Sequence, residues 1–202
     1  MSTFYESLPY EVEYGGKTYK LTPAYDNVLN MYASIEGTTD EEKLSIMLYY
    51  LFDGETPQEV GLLQAATDAL FTSNRKKTGD DDKRSFDFIQ DADLIYAAFR
   101  QAYNIDLVEE QGRLHWWKFQ ALLSGLPEDT KFVQVIQIRT RELPKPTKYN
   151  AEERAQIMKL KQQFALEISA EERERGLQSG LQKMAMCLEA MARRNNEQKE
   201  EN

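Results

Sequence analysis

Helix-start signals recur along this chain and constrain its fold more than any other feature. Thr22-Pro23 places an N-cap residue before the residue favoured at the first helical position. Thr39 with Glu42 makes a capping-box pattern ahead of Leu44, Met47, Leu48 and Leu51. Thr56-Pro57-Gln58-Glu59 joins cap, proline and box in one stretch. Pro127-Glu128-Asp129 opens another segment, and the pairs Asn150/Glu153 and Ser169/Glu172 repeat the box. Stop signals fall between them at Gly37, Asn104, Gly125, Pro144 and Pro146. A sequence punctuated this way predicts a mainly α protein, a bundle of medium-length helices.

The expected helices run from Thr22-Pro23 to about Glu36, through Leu44 to Leu51, and from about Pro57 to Phe71. In the second half Ala92, Ile95, Tyr96, Phe99 and Tyr103 share one apolar face. Leu114 to Ser124 and a segment carrying Phe132, Val135, Ile136 and Arg139 follow. One stretch departs from helical spacing. Tyr10, Val12 and Tyr14 alternate with Glu11 and Glu13, and Tyr19 and Leu21 alternate with polar residues after Gly15-Gly16. That pattern predicts an N-terminal β-hairpin with a glycine turn. Being marginal alone, the hairpin must dock its aromatic face on the helices.

The organisation expected is an N-terminal hairpin plus helical domain over 1–149 and a C-terminal helical pair over 150–202. A polar stretch over 73–85, with Arg75-Lys76-Lys77 followed by Asp80-Asp81-Asp82, reads as an exposed, mobile loop. In the last quarter Ile157, Leu160, Phe164 and Ile168 form one stripe. Leu177, Leu181, Met184, Leu188 and Met191 then step by 4, 3, 4 and 3 residues, a short heptad-like seam. This seam either folds back on the stripe as an antiparallel hairpin or stays available to a partner. Asn195 to Asn202 is polar and expected to fray.

Charge and composition narrow the function classes. The 202-residue chain carries a formal net charge of −9, which opposes binding to nucleic-acid phosphates and to anionic membrane surfaces. Its longest uninterrupted apolar run, Ile46 to Phe52, is 7 residues, against ~20 for a transmembrane helix. Met1 to Tyr10 lacks the basic and apolar regions of a secretory signal. The single cysteine, Cys187, allows no intramolecular disulfide and fits a reducing cytosol. With one histidine, His115, beside it, no structural zinc set is available.

No catalytic, metal or cofactor constellation stands out, and a non-enzymatic protein is expected. His115 has no nucleophile near it in sequence and reads as a hydrogen-bonded, partly buried residue. The acids Asp80, Asp81, Asp82, Asp87, Asp91 and Asp93 lack the offsets and central glycine of a calcium loop; they read as a solvated face and helix-start acids. Gly176 and Gly180 lack the spacing of a phosphate loop. His115-Trp116-Trp117-Lys118-Phe119 is the densest aromatic cluster. Trp116 and Trp117 are candidate partner anchors. Placed about 100° apart on a helix, they also fit a plainer arrangement, one in the core and one at its rim. The candidate partner-binding residues are these two with Leu177, Leu181, Met184, Leu188 and Met191, whose methionines suit an adaptable surface.

Phe86 to Leu107 and Leu114 to Leu143 carry a resemblance. The blocks Asp91-Ala-Asp-Leu-Ile-Tyr-Ala-Ala-Phe99 and His115-Trp-Trp-Lys-Phe119 resemble the bacteriophage gene-product-fifteen family of tailed phages and prophages of Gram-positive bacteria. The resemblance implies no catalytic residues. It implies a tail assembly chaperone in the host cytoplasm that binds and solubilises the phage tape-measure protein, in contact with other tail proteins. Self-association is left open, and a structural tail or connector protein retained in the virion is the alternative.

Overall fold

The computed structural model describes residues 7–35, 37–71 and 85–167. Gly15 and Gly16 take φ angles of 57° and 75°, the consecutive positive values that a two-residue hairpin turn requires. They fold strand β1 (Glu11–Tyr14) against β2 (Lys17–Lys20), with Val12 opposite Tyr19 and Tyr14 opposite Lys17. Seven helices follow among the described residues: α1 (Tyr25–Ser34), α2 (Asp40–Leu51), α3 (Val60–Phe71), α4 (Ala92–Tyr103), α5 (Trp116–Ser124), α6 (Lys131–Thr140) and α7 (Ala151–Gln163). The protein is mainly α with an N-terminal hairpin, as the punctuation of the sequence predicts.

The hairpin docks as expected. Val12 is buried, and the ring of Tyr14 lies so close over Gly61 of α3 that a Cβ there would stand 2.5 Å from its hydroxyl. The Tyr14 hydroxyl also donates to the Glu59 carboxylate at 2.8 Å, and Tyr19 meets Phe52 edge-on.

The caps divide into those used as written and those diverted. Thr39 and Glu42 form the full reciprocal box at α2. Asn104 ends α4 in the left-handed conformation, and Gly125 caps α5. Thr22 does not cap α1. Its hydroxyl donates to the Tyr50 carbonyl at 2.6 Å, and α1 starts at Tyr25 after a side-chain-free cap at Ala24. The cause is tertiary: bridges from Leu21 to Phe52 and from Ala24 to His115 hold this stretch extended. Helix α3 starts at Val60, a few residues after the expected Pro57, and the Glu59 carboxylate just before it accepts from Tyr14. Asn150 sits at the cap of α7, but its amide ties the preceding turn through Thr147 N and the Lys145 carbonyl.

The core gathers α1, α2, α3, α4 and α5 around Phe119, which is fully buried. Phe119 stacks on Tyr25 at 4.8 Å, on Phe99 at 5.2 Å and on Trp116 at 5.7 Å between ring centroids. The inward face of α4 is Ile95, Ala98 and Phe99, whereas Ala92 and Tyr96, expected on that face, are exposed. Ile95, Phe99 and Tyr103 pack inward as expected, and the Tyr96 hydroxyl instead donates to the Asp106 carboxylate at 3.0 Å.

By contacts the chain divides into two units, Met1–Ala165 and Leu166–Asn202. Helix α7 belongs to the first and packs on α6. It buries only Ile157 fully; Phe164 is half-buried and Leu160, expected on the same stripe, is 40% exposed. The second member of the expected C-terminal pair, including Leu177, Leu181, Met184, Leu188 and Met191, lies outside the described residues. So does the expected loop over 73–85, apart from Ser85.

Candidate functional site

The aromatic segment at α5 is a structural junction. His115 precedes the helix with extended backbone, and its Nδ1 accepts the Trp117 amide at 3.0 Å, so the ring itself is the N-cap. A nitrogen that accepts carries no proton, which assigns the hydrogen to Nε2. Nε2 then donates to the Pro9 carbonyl at 3.2 Å, and Tyr10 packs edge-on against the ring. Burial pushes the imidazole below its ordinary value of 6.5; the Pro9 bond opposes this and the nearby Lys118 charge adds to it. Both ring nitrogens are therefore committed to the fold in a neutral imidazole, which leaves no lone pair for general-base work.

The two tryptophans take the core-and-rim arrangement. Trp116 is 2% exposed, among Phe71, Phe88, Phe119 and Tyr32. Its Nε1 has no hydrogen-bond acceptor among the described residues. Trp117 is half-buried, and its Nε1 donates at 2.7 Å to the Leu70 carbonyl near the end of α3. Trp116 thus presents almost no surface to a partner, and Trp117 joins α5 to α3.

A second cluster lies where α4, α6 and α7 meet. Arg139 grips Asp91 through both carboxylate oxygens at 2.6 and 2.8 Å, a bidentate pair whose side chains are 12% and 3% exposed. Its remaining donors reach the Phe164 carbonyl at 2.6 Å and the Ser85 carbonyl at 3.3 Å. Asp91 also accepts the Asp87 amide at 3.0 Å, while Asp87 caps its own turn through the amides of Ile89 and Gln90. Lys161 donates to the Arg139 carbonyl, Arg154 to the Pro144 carbonyl, and Lys131 sits over the Phe164 ring. These cations seat the sparsely apolar α7. Asp87 and Asp91 are buried, which corrects the expected solvated face, while Asp91 does stand at the start of α4 as a helix-start acid. The fixed fork of arginine matches a carboxylate brought close by the tertiary fold, and sequence spacing gives no hint of a partner 48 residues away. No metal-ligating cluster of three or more groups exists among the described residues.

Exposed apolar side chains are spread over the surface and include Tyr149 (92% exposed), Tyr49 (78%) and Val60 (69%). Tyr49 lines an open cleft of about 830 Å³, together with Tyr50, Phe52, Asp53 and Glu55. This cleft was not legible in the sequence, because its walls come from α2, the following loop and the start of α1.

The sequence pattern that defines the bacteriophage Gp15 protein family matches residues 4–166. The chain belongs to that family. The match extends well beyond the two quoted blocks, from the hairpin through α7, so the whole hairpin-and-helix unit is the Gp15 fold. Membership makes this a phage protein of the structural or assembly-related kind. No curated protein and no solved structure matches it significantly. Among the described residues, no helix of this Gp15 protein is long and apolar enough to cross a membrane.

Proposed function

We propose that this Gp15 protein is a non-enzymatic tail assembly chaperone that binds and solubilises the tape-measure protein in the host cytoplasm. Family membership supports a role in phage assembly. The commitment of the buried polar side chains carries the non-enzymatic part of the reading. Asp91 is spent on Arg139, Asp87 on its own turn, His115 on capping α5, and Thr130 on the Pro127 carbonyl ahead of α6. An active site brings such groups together beside a space for substrate; these four instead hold helix ends and turns together. The surface left for work is apolar side chains on an acidic, well-solvated body, which suits reversible binding of a poorly soluble client.

Co-expression with the tape-measure protein of the same phage, followed by affinity capture with and without residues 170–202, tests the proposal. Rescue of tape-measure solubility and its co-purification are the expected result. Loss of both on truncation would place the contact on the Leu177 to Met191 seam. A soluble chain beside a tape measure that stays in the pellet would refute the chaperone role. Stoichiometric recovery of the chain in purified virions would mark it instead as a structural tail or connector protein.

A further inference from the structure

We propose that the cleft at the C-terminal end of α2 is a docking site for a lysine- or arginine-bearing segment of a partner protein. This rests on the reading that the chain acts by binding another protein, and it adds where and with what chemistry. The cleft is open to solvent and holds about 830 Å³, room for a side chain of a partner segment. Thr22 and Asn27 form one wall, Tyr49 and Tyr50 another, and the loop carrying Asp53 and Glu55 closes it. Asp53 and Glu55 are the charged side chains of this lining, and both are negative. Neither has an ion-pair or side-chain hydrogen-bond partner among the described residues. The last turn of α2 contains no basic residue, so no cation on that turn offsets the two carboxylates. Tyr49 is 78% exposed and meets Tyr50 edge-on at 5.2 Å, leaving ring surface available beside the carboxylates. A cation that lies on a tyrosine face while bonding a carboxylate satisfies both features at once. An anionic segment would meet repulsion from both acids.

Fluorescence anisotropy with a fluorescein-labelled hexa-arginine peptide tests the site on the full chain. A net charge of −9 draws any cationic probe, so the comparison is between two double variants that remove equal charge. Asp53→Asn/Glu55→Gln is expected to weaken binding about tenfold, and Tyr49→Ser about threefold. Glu11→Gln/Glu13→Gln on the hairpin is expected to change it less than about twofold. Equal losses in the two double variants, or full binding by Tyr49→Ser, would overturn the site. Circular dichroism confirms that each variant is folded. Capture of the tape-measure protein is scored separately on the wild-type chain. If capture succeeds while the peptide ignores the cleft, the docking site falls and the chaperone reading stands. If the peptide binds through the cleft and capture fails, the chaperone reading falls and the basic-segment site stands.

Discussion

Replacing Arg139 with methionine removes the guanidinium that holds α4, α6 and α7 at one point. The Asp91 side chain it leaves behind is 3% exposed and still accepts from the Asp87 amide. Breaking a buried pair by removing one partner costs about 3–5 kcal/mol, most of it from the uncompensated charge. With an m-value of about 2 kcal/mol/M, the urea midpoint should fall by about 2 M. The double variant Asp91→Leu/Arg139→Met removes both charges and leaves only neutral groups short of a partner, chiefly the Phe164 carbonyl and the Asp87 amide. It should therefore be more stable than Arg139→Met alone, with a coupling energy above about 1 kcal/mol in the double-mutant cycle. Urea unfolding followed by tryptophan fluorescence measures all four corners. An Arg139→Met midpoint within about 0.5 M of wild type, or a double variant whose loss equals the sum of the singles, would refute the reasoning.

Two other perturbations isolate single contacts. His115 has a folded pKa below its unfolded value of 6.5, so its contribution is fully present above pH 6.5 and is lost as pH falls toward the folded pKa. Stability should decline by up to about 1.4 kcal/mol per pH unit below 6.5. As His115 is the sole histidine, His115→Asn, which can still cap α5, should flatten the profile between about pH 5 and 6.5; an unchanged slope would contradict this. Gly61→Ala adds a Cβ against the Tyr14 ring, so it should weaken hairpin docking and break the Tyr14–Glu59 bond. In a Tyr14→Val background the same change should stabilise by about 1 kcal/mol through helix propensity, a reversal of sign that thermal unfolding reads directly.

Local signals in the sequence identified the helices, the hairpin and several caps, because those features depend on residues three or four apart. The Thr39–Glu42 box, the Asn104 stop and the Gly15-Gly16 turn all formed as spacing predicts. Thr22 and Glu59 bonded instead to partners far outside that window, Tyr50 and Tyr14, while Asn150 turned to the backbone of the preceding turn. The face of α4 was legible in Ile95, Phe99 and Tyr103, but the burial of Asp91 at the start of that helix was not, because Arg139 lies far away in sequence. His115 was legible as a bonded residue, but the Pro9 carbonyl that receives its proton was not. The cleft beside Tyr49 needed three segments in place before it existed at all.

The bond between Pro9 and His115 spans 106 residues, and the bridge from Ala24 to His115 lies beside it. At a synthesis rate of roughly 5–20 residues per second, the start of the chain waits on the order of 5–20 s for its partner to leave the ribosome. During that interval the first three helices can form, but Tyr25 has no Phe119 to stack on. A nascent chain stopped before α5 therefore exposes apolar surface that the finished protein hides. Docking of the segment from Pro9 to Tyr25 therefore waits for the middle of the message, and clearance of α5 from the ribosome should bring that segment its first resistance to proteases, ahead of α6 and α7.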